Sequence, residues 1–503
     1  MRKSEIIFIL VLLIIFSILI LKYYSPNYII KTYESFFQEI EMNMKYHSYV
    51  RQIEMRGIEN ETQEITSTKS MPVLVYHGIS ESSYKENVLL ENFEEQMIKL
   101  KEEGYKTITI ADFYEFMQNK KELPEKSFLL TFDDGIKSSY YNVDPLLRAL
   151  DYNAVMFIIT KDSLGEGSSY YLSLEEVKKM LDSSMWEIQP HAKDAHDLRV
   201  INENGEFGHF LSNKLWLGDR LETDEEYKQR IRKEFEESKN EIVQKLGVDV
   251  IAYAFPFGDF GQSSINFPYA QQYILGEIKD FYPLANFYQV WPSRGFGNNY
   301  ANEDSFMVKR ITVEQDWDAN QLLEILSNNQ EKNLPYGDEF REDNGWVNVW
   351  GNVTIVDNSL ILTNSDGNAG GFTFLEGTYL WEDYQYKINI GLIKGDDLGM
   401  IFNFKDTNNY AVCEFSGNSV RIKQTIVGAS EIVAEAILNG KLLKDNSSLG
   451  VEVNGHDVGC ILDGKTLIET NQLDERISHG GIGLRIWNSN KDSQLIVKEI
   501  TVF

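Results

Sequence analysis

The sequence predicts three parts: an N-terminal membrane-spanning helix, an α/β domain with a mostly parallel sheet or barrel, and a C-terminal all-β sandwich. Three observations predict this division. An apolar run fills Ile6–Leu21, short apolar runs alternate with helical patterns from Met71 to about Leu334, and alternating strand patterns follow about Asp343. Alternating strands and helices are typical of parallel sheets, whereas successive short strands with turn signals are typical of sandwiches.

The N-terminal apolar run is long enough to cross a bilayer, which takes about 17 to 20 such residues. Arg2 and Lys3 precede it and predict a cytoplasmic N-terminus, with the rest of the chain outside the cell. A cleaved signal peptide is the alternative, but its apolar region is normally shorter and ends in small residues. We therefore expect residues 1–26 to form a single-pass, uncleaved anchor in the cell membrane, and residues 27–70 a polar, partly helical stalk.

The charge and the cysteine content narrow the class of protein. The 503-residue chain has 48 Lys and Arg against 77 Asp and Glu, a net charge of −29, so we expect no nucleic-acid partner. The acidic surface indicates solubility or, alternatively, attraction to a cationic polymer. Cys413 and Cys460 either pair with each other or lie buried as small hydrophobic residues.

Within residues 71–334, two predicted strands end in residues that carry chemistry. The apolar run Phe128–Phe132 is followed by Asp133-Asp134-Gly135, and the strand Met71–Tyr76 is followed by His77. Two acids at the end of a buried strand are costly unless a metal, a proton or a cation uses them. Because functional residues gather at the C-terminal ends of parallel strands, the predicted site lies at this edge.

Two histidines extend this predicted site. His191 and His196 follow Pro190 at a five-residue offset that suits a loop rather than one helix face. With an aspartate they form a trio that suits zinc or a similar divalent cation that activates water. One acid of the Asp-Asp pair can bind the metal while the other takes a proton, because Gly135 permits a turn. His209 has no partner motif and is expected to be a surface or loop residue.

A third motif follows the predicted strand Val248–Phe255. Phe255-Pro256-Phe257-Gly258 is an aromatic-walled turn that could direct a backbone N–H at a developing oxyanion. With Thr131–Gly135 and the His-x4-His pair, it resembles the first three motifs of the polysaccharide deacetylase family, carbohydrate esterase family 4. Pro72–Ile79 resembles the branch that deacetylates poly-β-1,6-N-acetylglucosamine, in which the motif order is permuted and the first strand supplies the acid histidine.

This resemblance implies a distorted (β/α) barrel with fewer than eight repeats, and it assigns a role to each motif residue. The implied ligands of a divalent metal, expected to be zinc, are Asp134, His191 and His196. Asp133 would be the general base and His77 the general acid.

The resemblance also implies a substrate groove and exposes one departure from the family pattern. The groove would be lined by Pro256, Phe257 and Gly258. Many family members carry an arginine just before the third motif that orients the base, but this chain has Ile251-Ala252-Tyr253 there. Arg310 or Arg294 is the expected substitute.

The function implied by the resemblance is metal-dependent N-deacetylation of an extracellular N-acetylglucosamine polysaccharide at the cell surface, with biofilm poly-β-1,6-N-acetylglucosamine as the expected substrate. Deacetylation of peptidoglycan or a chitin-type chain is the alternative. Two other classes stay open. One is a non-catalytic surface glycan-binding protein, and the other is a glycoside hydrolase, which would use two carboxylates at a fixed separation.

Residues 335–503 resemble the laminin-G or concanavalin-like, jelly-roll-like sandwiches attached to many carbohydrate-active enzymes. Hairpin signals occur at Asn439-Gly440, Asn454-Gly455 and Asp463-Gly464. Four tryptophans could either serve as sugar-stacking platforms or lie in the core: Trp346, Trp350, Trp381 and Trp487. This part is therefore a candidate carbohydrate-binding domain.

Overall fold

The computed structural model describes residues 26–58, 67–82, 87–282, 285–290, 297–301, 306–365, 369–489 and 492–503, and for residues 26–36, 285, 289 and 290 the main chain alone. The predicted membrane segment, Ile6–Leu21, lies outside these residues. Among the described helices, none combines the length and the apolar character needed to cross a membrane. The anchor therefore stays a prediction.

Ten α-helices occur in the described residues. They are α1 (Pro26–Arg56), α2 (Leu90–Glu102), α3 (Ile110–Met117), α4 (Lys137–Tyr141), α5 (Asp144–Leu150), α6 (Thr160–Ser163), α7 (Leu174–Asp182), α8 (Asp224–Leu246), α9 (Ala270–Ile278) and α10 (Ala319–Asn328). Helix α8 is the most important for the site. It begins with a capping box between Thr223 and Glu226 and ends at Gly247, whose φ of 69° suits glycine.

The α/β domain is built on parallel strands. Its strands are β1 (Ser70–Met71), β2 (Val73–Tyr76), β3 (Ile79–Ser80), β4 (Val88–Leu89), β5 (Lys106–Thr107), β6 (Ser127–Phe132), β7 (Ala154–Ile159), β8 (Trp186–Ala192), β9 (Leu198–Val200), β10 (Phe207–His209), β11 (Ala252–Ala254), β12 (Ala285–Val290), β13 (Asn299–Tyr300) and β14 (Met307–Thr312). The main sheet runs β11-β12-β14-β2-β6-β7-β8, with β5 beside β6. All of these pairings are parallel.

One side chain, that of Gln189, bridges the seam between β8 and the segment that leads into β11, the two end strands of this sheet. The Gln189 Oε1 atom accepts hydrogen bonds from the Ile251 and Ala252 N–H groups at 3.0 and 3.1 Å, and its Nε2 atom donates to the Asp249 carbonyl at 3.0 Å. One amide side chain thus satisfies main-chain groups that a neighbouring strand would otherwise pair with. The sheet is a nearly closed barrel, which confirms the expected distorted barrel.

Burial explains why these segments form the barrel wall. Strands β6 and β7 are buried at every position, as expected for a parallel sheet covered by helices on its outer face. Their short apolar runs therefore lack the alternation that marks a half-exposed strand.

Helix α1 covers most of the predicted stalk, and its later turns pack against the α/β domain. Met42, Tyr49 and Ile53 are buried in the same core as the barrel strands. The Tyr49 hydroxyl donates to Glu94, and Arg56 pairs with Glu102 at 3.0 Å. This part of the segment therefore rests on the domain, and its role as a spacer from a membrane stays a prediction.

The C-terminal part is a sandwich of two antiparallel sheets. Its strands are β15 (Tyr336–Asp338), β16 (Trp346–Trp350), β17 (Asn352–Ile355), β18 (Leu360–Thr363), β19 (Gly370–Leu375), β20 (Tyr384–Lys394), β21 (Asp397–Asp406), β22 (Asn409–Ser416), β23 (Ser419–Ile426), β24 (Ala429–Ile437), β25 (Ser448–Asn454), β26 (Asp457–Leu462), β27 (Lys465–Thr470), β28 (Gly481–Trp487) and β29 (Gln494–Val502). One sheet runs β17-β18-β29-β20-β25-β26-β27 with β15 beside β29, and the other runs β16-β19-β28-β21-β22-β23-β24. Their inner faces enclose one apolar core.

Two of the three predicted hairpin turns join paired strands. Asn454-Gly455 connects β25 to β26, and Asp463-Gly464 connects β26 to β27. Asn439-Gly440 instead lies where the chain passes from β24 in one sheet to β25 in the other. The hairpin predicted there is wrong because the two flanking strands pair with different partners.

A disulfide and two buried tryptophans settle alternatives that the sequence left open. Cys413 in β22 and Cys460 in β26 form a disulfide that links the two sheets. Trp346 and Trp381 are buried, and their indole N–H groups donate to Asp338 and to the Lys332 carbonyl. These two residues therefore belong to the core and cannot be sugar-stacking platforms.

Candidate active site

The Asp-Asp-Gly turn lies at the C-terminal end of β6. Asp134 and Gly135 both adopt left-handed backbone conformations, with φ of 71° and 74°. A side chain at Gly135 would also meet the Ser163 hydroxyl at 2.5 Å, so glycine is required there for space as well as for its φ. The turn ends the strand alternation and allows Asp133 and Asp134 to face one site.

The three predicted metal ligands lie together. The Nε2 atoms of His191, in β8, and of His196, in the following loop, are 3.4 and 3.2 Å from Asp134 Oδ1. One ligand atom from each residue lies within 4.8 Å of the others. Strand β8 brings the first histidine to the barrel edge, and the loop returns the second to the same point.

The chemistry of these donors fits a divalent cation. Asp134 Oδ1 is buried and makes no hydrogen bond in the described structure. The His191 Nδ1 atom lies 2.9 Å from the Ala254 carbonyl, which requires Nδ1 to carry the proton and leaves the Nε2 lone pair directed at the cluster. Two imidazole nitrogens and one carboxylate leave further coordination positions open, as in catalytic zinc sites.

The pKa values of His191 and Asp134 favour the metal-binding forms of these groups, whereas that of His196 favours its protonated form. Burial lowers the pKa of His191 to about 4, against the opposing effect of Asp133 and Asp134, so its imidazole is neutral at pH 7. Burial raises the pKa of Asp134, but the neighbouring histidines lower it well below its ordinary value. Burial lowers the pKa of His196, but Asp134, Asp133 and Asp197 together raise it above its ordinary value, so a proton competes with a cation for this ligand.

Arg310 holds Asp133. Its Nη1 and Nη2 atoms donate to Asp133 Oδ1 and Oδ2, both at 2.7 Å, and both side chains are fully buried. Burial raises the pKa of Asp133, but Arg310 and then His191 lower it more, so the carboxyl stays charged. Of the two arginines predicted to restrain this acid, Arg310 in β14 does so, and Arg294 lies outside the described residues.

His77 comes to the same edge of the barrel. It directly follows β2, whose Tyr76 pairs in register with Phe132 of β6, and the Asp133 N–H donates to the Tyr76 carbonyl at 3.0 Å. Its imidazole lies near enough to both aspartates to lower their pKa values, against the larger and opposite effect of burial. The structure thus places the predicted acid beside the predicted base.

The Phe-Pro-Phe-Gly turn follows β11 and forms a wall of the site. Pro256 and Gly258 are buried, and Phe257 has a left-handed φ of 60° with a ring that is 39% exposed. This ring stacks with two imidazoles, with centroid distances of 4.8 Å to His196 and 4.4 Å to His209. The exposed part of Phe257 stays available to a substrate.

His209 is a site residue that sequence reasoning missed. Rather than being an isolated surface residue, it pairs through Nδ1 with the buried Asp259 and stacks on Phe257 at an interplanar angle of 11°. It therefore supports the ring that contacts the predicted ligand His196. Its partner is 50 residues away in sequence, and no local pattern indicates the pair.

The barrel, with its Asp/His/His cluster and arginine-bound carboxylate at the C-terminal strand ends, defines an α/β-barrel hydrolase with a candidate metal centre. Residues 120–271 match the family model described as polysaccharide deacetylase. This match identifies residues 120–271 as a polysaccharide deacetylase domain, and enzymes with this domain are hydrolases acting on amide bonds. The matched residues include the Asp-Asp pair, both ligand histidines and Phe257, but neither His77 nor Arg310.

Two curated relatives have similar sequences over part of this chain. The poly-β-1,6-N-acetyl-D-glucosamine N-deacetylase of Escherichia coli (strain K12) is 29% identical over 180 residues, which cover 33% of this chain and 27% of that protein. The enzyme of the same name from Staphylococcus aureus (strain MSSA476) is 28% identical over 165 residues, which cover 32% of this chain and 54% of that protein. The chain thus spans from about a quarter to about half the length of these relatives.

Solved structures also resemble parts of the chain. A de-N-acetylase from Aggregatibacter actinomycetemcomitans has a TM-score of 0.44 at 19% identity and covers 51% of this chain and 99% of its own. A carbohydrate binding module from Bacillus subtilis has a TM-score of 0.26 at 19% identity and covers 31% of this chain and 94% of its own. With TM-scores this low, neither likeness bears on the function of this chain.

Proposed function

We propose that the α/β domain is a metal-dependent N-deacetylase of an N-acetylglucosamine polysaccharide. The observation that carries this proposal is the Asp134, His191 and His196 cluster beside an Asp133 held by Arg310. A divalent cation bound there would polarise the acetamide carbonyl and lower the pKa of a water molecule. Nitrogen and carboxylate donors favour zinc, which is our proposed metal.

The protein groups around this cluster have distinct roles in the proposed reaction. Asp133 accepts the proton of the attacking water, and the two bonds from Arg310 fix the direction of its carboxylate. The Phe257 N–H is the proposed donor to the oxyanion. His77, on the neighbouring strand, gives a proton to the departing amine, so acetate and a glucosamine unit are released.

Two variants test these roles. D133N should keep its metal and lose about 100-fold or more in turnover, the usual scale for a general base. H191A should lose bound metal, measured by elemental analysis after dialysis. A D133N protein with near wild-type turnover, or an H191A protein with full metal occupancy, would remove that residue from its role.

The names of the curated relatives favour poly-β-1,6-N-acetylglucosamine as the substrate. Acetate release should be measured on β-1,6-linked and β-1,4-linked N-acetylglucosamine oligomers and on peptidoglycan fragments, each with and without a chelator. We expect chelator-sensitive release from the β-1,6 series. Release from the β-1,4 series or from peptidoglycan alone would assign the alternative substrate instead.

We also propose that the protein acts outside the cell, held by residues 1–26. The apolar run at Ile6–Leu21 and the cross-sheet disulfide support this location, because disulfides persist in oxidising compartments. Protease treatment of intact cells should degrade the catalytic domain, which should fractionate with membranes. Recovery of the full chain from the soluble fraction would contradict the anchor.

A second candidate function is glycan binding by the sandwich. Trp487 is 44% exposed at the end of β28, and its ring meets that of Trp350 at 81° and 6.2 Å, so both could contact a sugar. In the D133N background, W487A should weaken retention on immobilised polysaccharide. Equal retention with and without Trp487 would leave the sandwich without this role.

A further inference from the structure

The loop that joins the two histidine ligands is fastened to helix α8 by one carboxylate. The Glu234 Oε1 atom accepts from the Lys193 and Ala195 N–H groups at 2.6 and 3.3 Å, and its Oε2 atom accepts from the Asp194 N–H at 2.9 Å. The main chain of every residue from 193 to 195 therefore turns toward a single side chain.

Glu234 is an unusual residue for its position on α8. It is 3% exposed and lies in the buried stripe of the helix formed by Tyr227, Ile231, Phe235, Ser238 and Ile242. An apolar side chain would fill this place without the cost of burying a charge. Burial raises the pKa of Glu234 to about 7 even though three N–H groups oppose the shift.

The three bonds have a direct consequence for the metal ligands. His191 lies within β8, one residue before its end, and its ring is held by the Ala254 carbonyl, whereas the position of His196 depends on the course of the loop. A loop held at three successive amides has little freedom, so His196 is presented to Asp134 at a defined distance. Without that carboxylate, the amides would need other partners and the loop could take other courses.

We propose that Glu234 is a positioning residue for the candidate metal centre, acting through the main chain of residues 193–195 on the placement of His196. This inference rests on the proposed metal site. Glu234 lies on a helix that carries none of the proposed metal ligands. It contacts the loop through main-chain N–H groups.

The same helix offers two matched controls. Glu237 and Glu241 lie three and seven residues further along α8 and contact the same loop through the Lys193 ammonium, at 3.0 and 2.8 Å. Both glutamates bind the Lys193 side chain, whereas Glu234 binds the main chain of the loop. E237Q and E241Q therefore make the same chemical change on the same helix, without removing the three main-chain bonds.

The experiment measures Zn²⁺ affinity of the full chain by competition with a chelator. E234Q presents one oxygen and one NH₂ group where three donors converge, and we expect affinity to fall by about 10- to 100-fold, the scale known for residues that orient metal ligands. E237Q and E241Q should stay within about threefold of wild type on that scale. In the metal-free protein, hydrogen exchange at residues 193–195 should be faster in E234Q than in wild type.

A positioning role also predicts rescue. Excess Zn²⁺ should restore most of the turnover of E234Q and none of that of D133N. If E234Q fails to fold, E234D carries the test, since it keeps a buried carboxyl group but shortens the side chain that reaches the amides. Wild-type affinity and wild-type exchange in whichever variant folds would overturn the inference.

The failure of this inference differs from failure of the proposed function. A wild-type chain that binds no Zn²⁺ and releases no acetate would refute the proposed function. A wild-type chain that does both, alongside a Glu234 variant with unchanged affinity, would refute the positioning role alone.

Discussion

Replacing Arg310 by methionine tests the proposed organisation of the site most directly. Arg310 and Asp133 are both fully buried and are joined by two hydrogen bonds of 2.7 Å. Methionine fills much of the same space but leaves Asp133 buried without its cation, so the carboxyl either stays charged and unpaired or takes up a proton. Breaking a buried ion pair by removing one partner costs about 3 to 5 kcal/mol.

That cost is large enough to measure as a shift in thermal unfolding. For a domain of this size, each kcal/mol moves the midpoint by about 2 to 4 °C, so the R310M barrel should unfold about 10 °C below wild type. The double variant R310M/D133N carries no buried charge at this pair and should unfold above R310M alone. Turnover of R310M should fall by about 100-fold or more, because the base is no longer oriented.

R310K is the matched control. Lysine keeps the positive charge but cannot make two parallel bonds to one carboxylate, so we expect a stability between those of wild type and R310M. If the free energy of unfolding of R310M lies within about 1 kcal/mol of wild type, the reasoning is refuted, because substitutions at ordinary surface positions have effects in that range. A double variant less stable than R310M would show that the buried charge is not the source of the cost.

Three further predictions concern other parts of the chain. H209A removes the ring that stacks on Phe257 and should lower Zn²⁺ affinity by up to about 10-fold, whereas H456A in the sandwich should leave it unchanged. Burial lowers the pKa of Lys332 to about 8, below its ordinary 10.5, so the unfolded chain binds the extra proton between these pH values. Wild-type stability relative to K332M should therefore rise with pH in this interval, by at most about 1.4 kcal/mol per pH unit, and a flat difference in urea unfolding would contradict it. Removing the Cys413–Cys460 link, across a separation of 47 residues, should destabilise the sandwich by about 4 kcal/mol and leave the barrel transition in place, which calorimetry can separate.

The sequence by itself predicted the parts of the site that depend on local patterns. Asp133, Asp134 and His77 each follow an apolar run that ends at the same edge of a parallel sheet, so strand direction alone brings them near one another. His191 and His196 are near neighbours in sequence, and their spacing is itself a signal. The alternation of runs also predicted a parallel α/β sheet or barrel and a separate sandwich, because each hydrophobic period reflects one kind of secondary structure. The barrel itself was implied by the family resemblance.

Only the tertiary structure decided which residues support that site. Arg310 is 177 residues from Asp133, Glu234 is 39 to 41 residues from the amides it binds, and His209 is 50 residues from Asp259. A sequence with 48 basic and 77 acidic residues allows many pairings of opposite charge, and no local sequence pattern identifies the pairs that form in the fold. The partners are selected by which helix packs on which strand, and that packing depends on burial across the whole domain rather than on any short pattern.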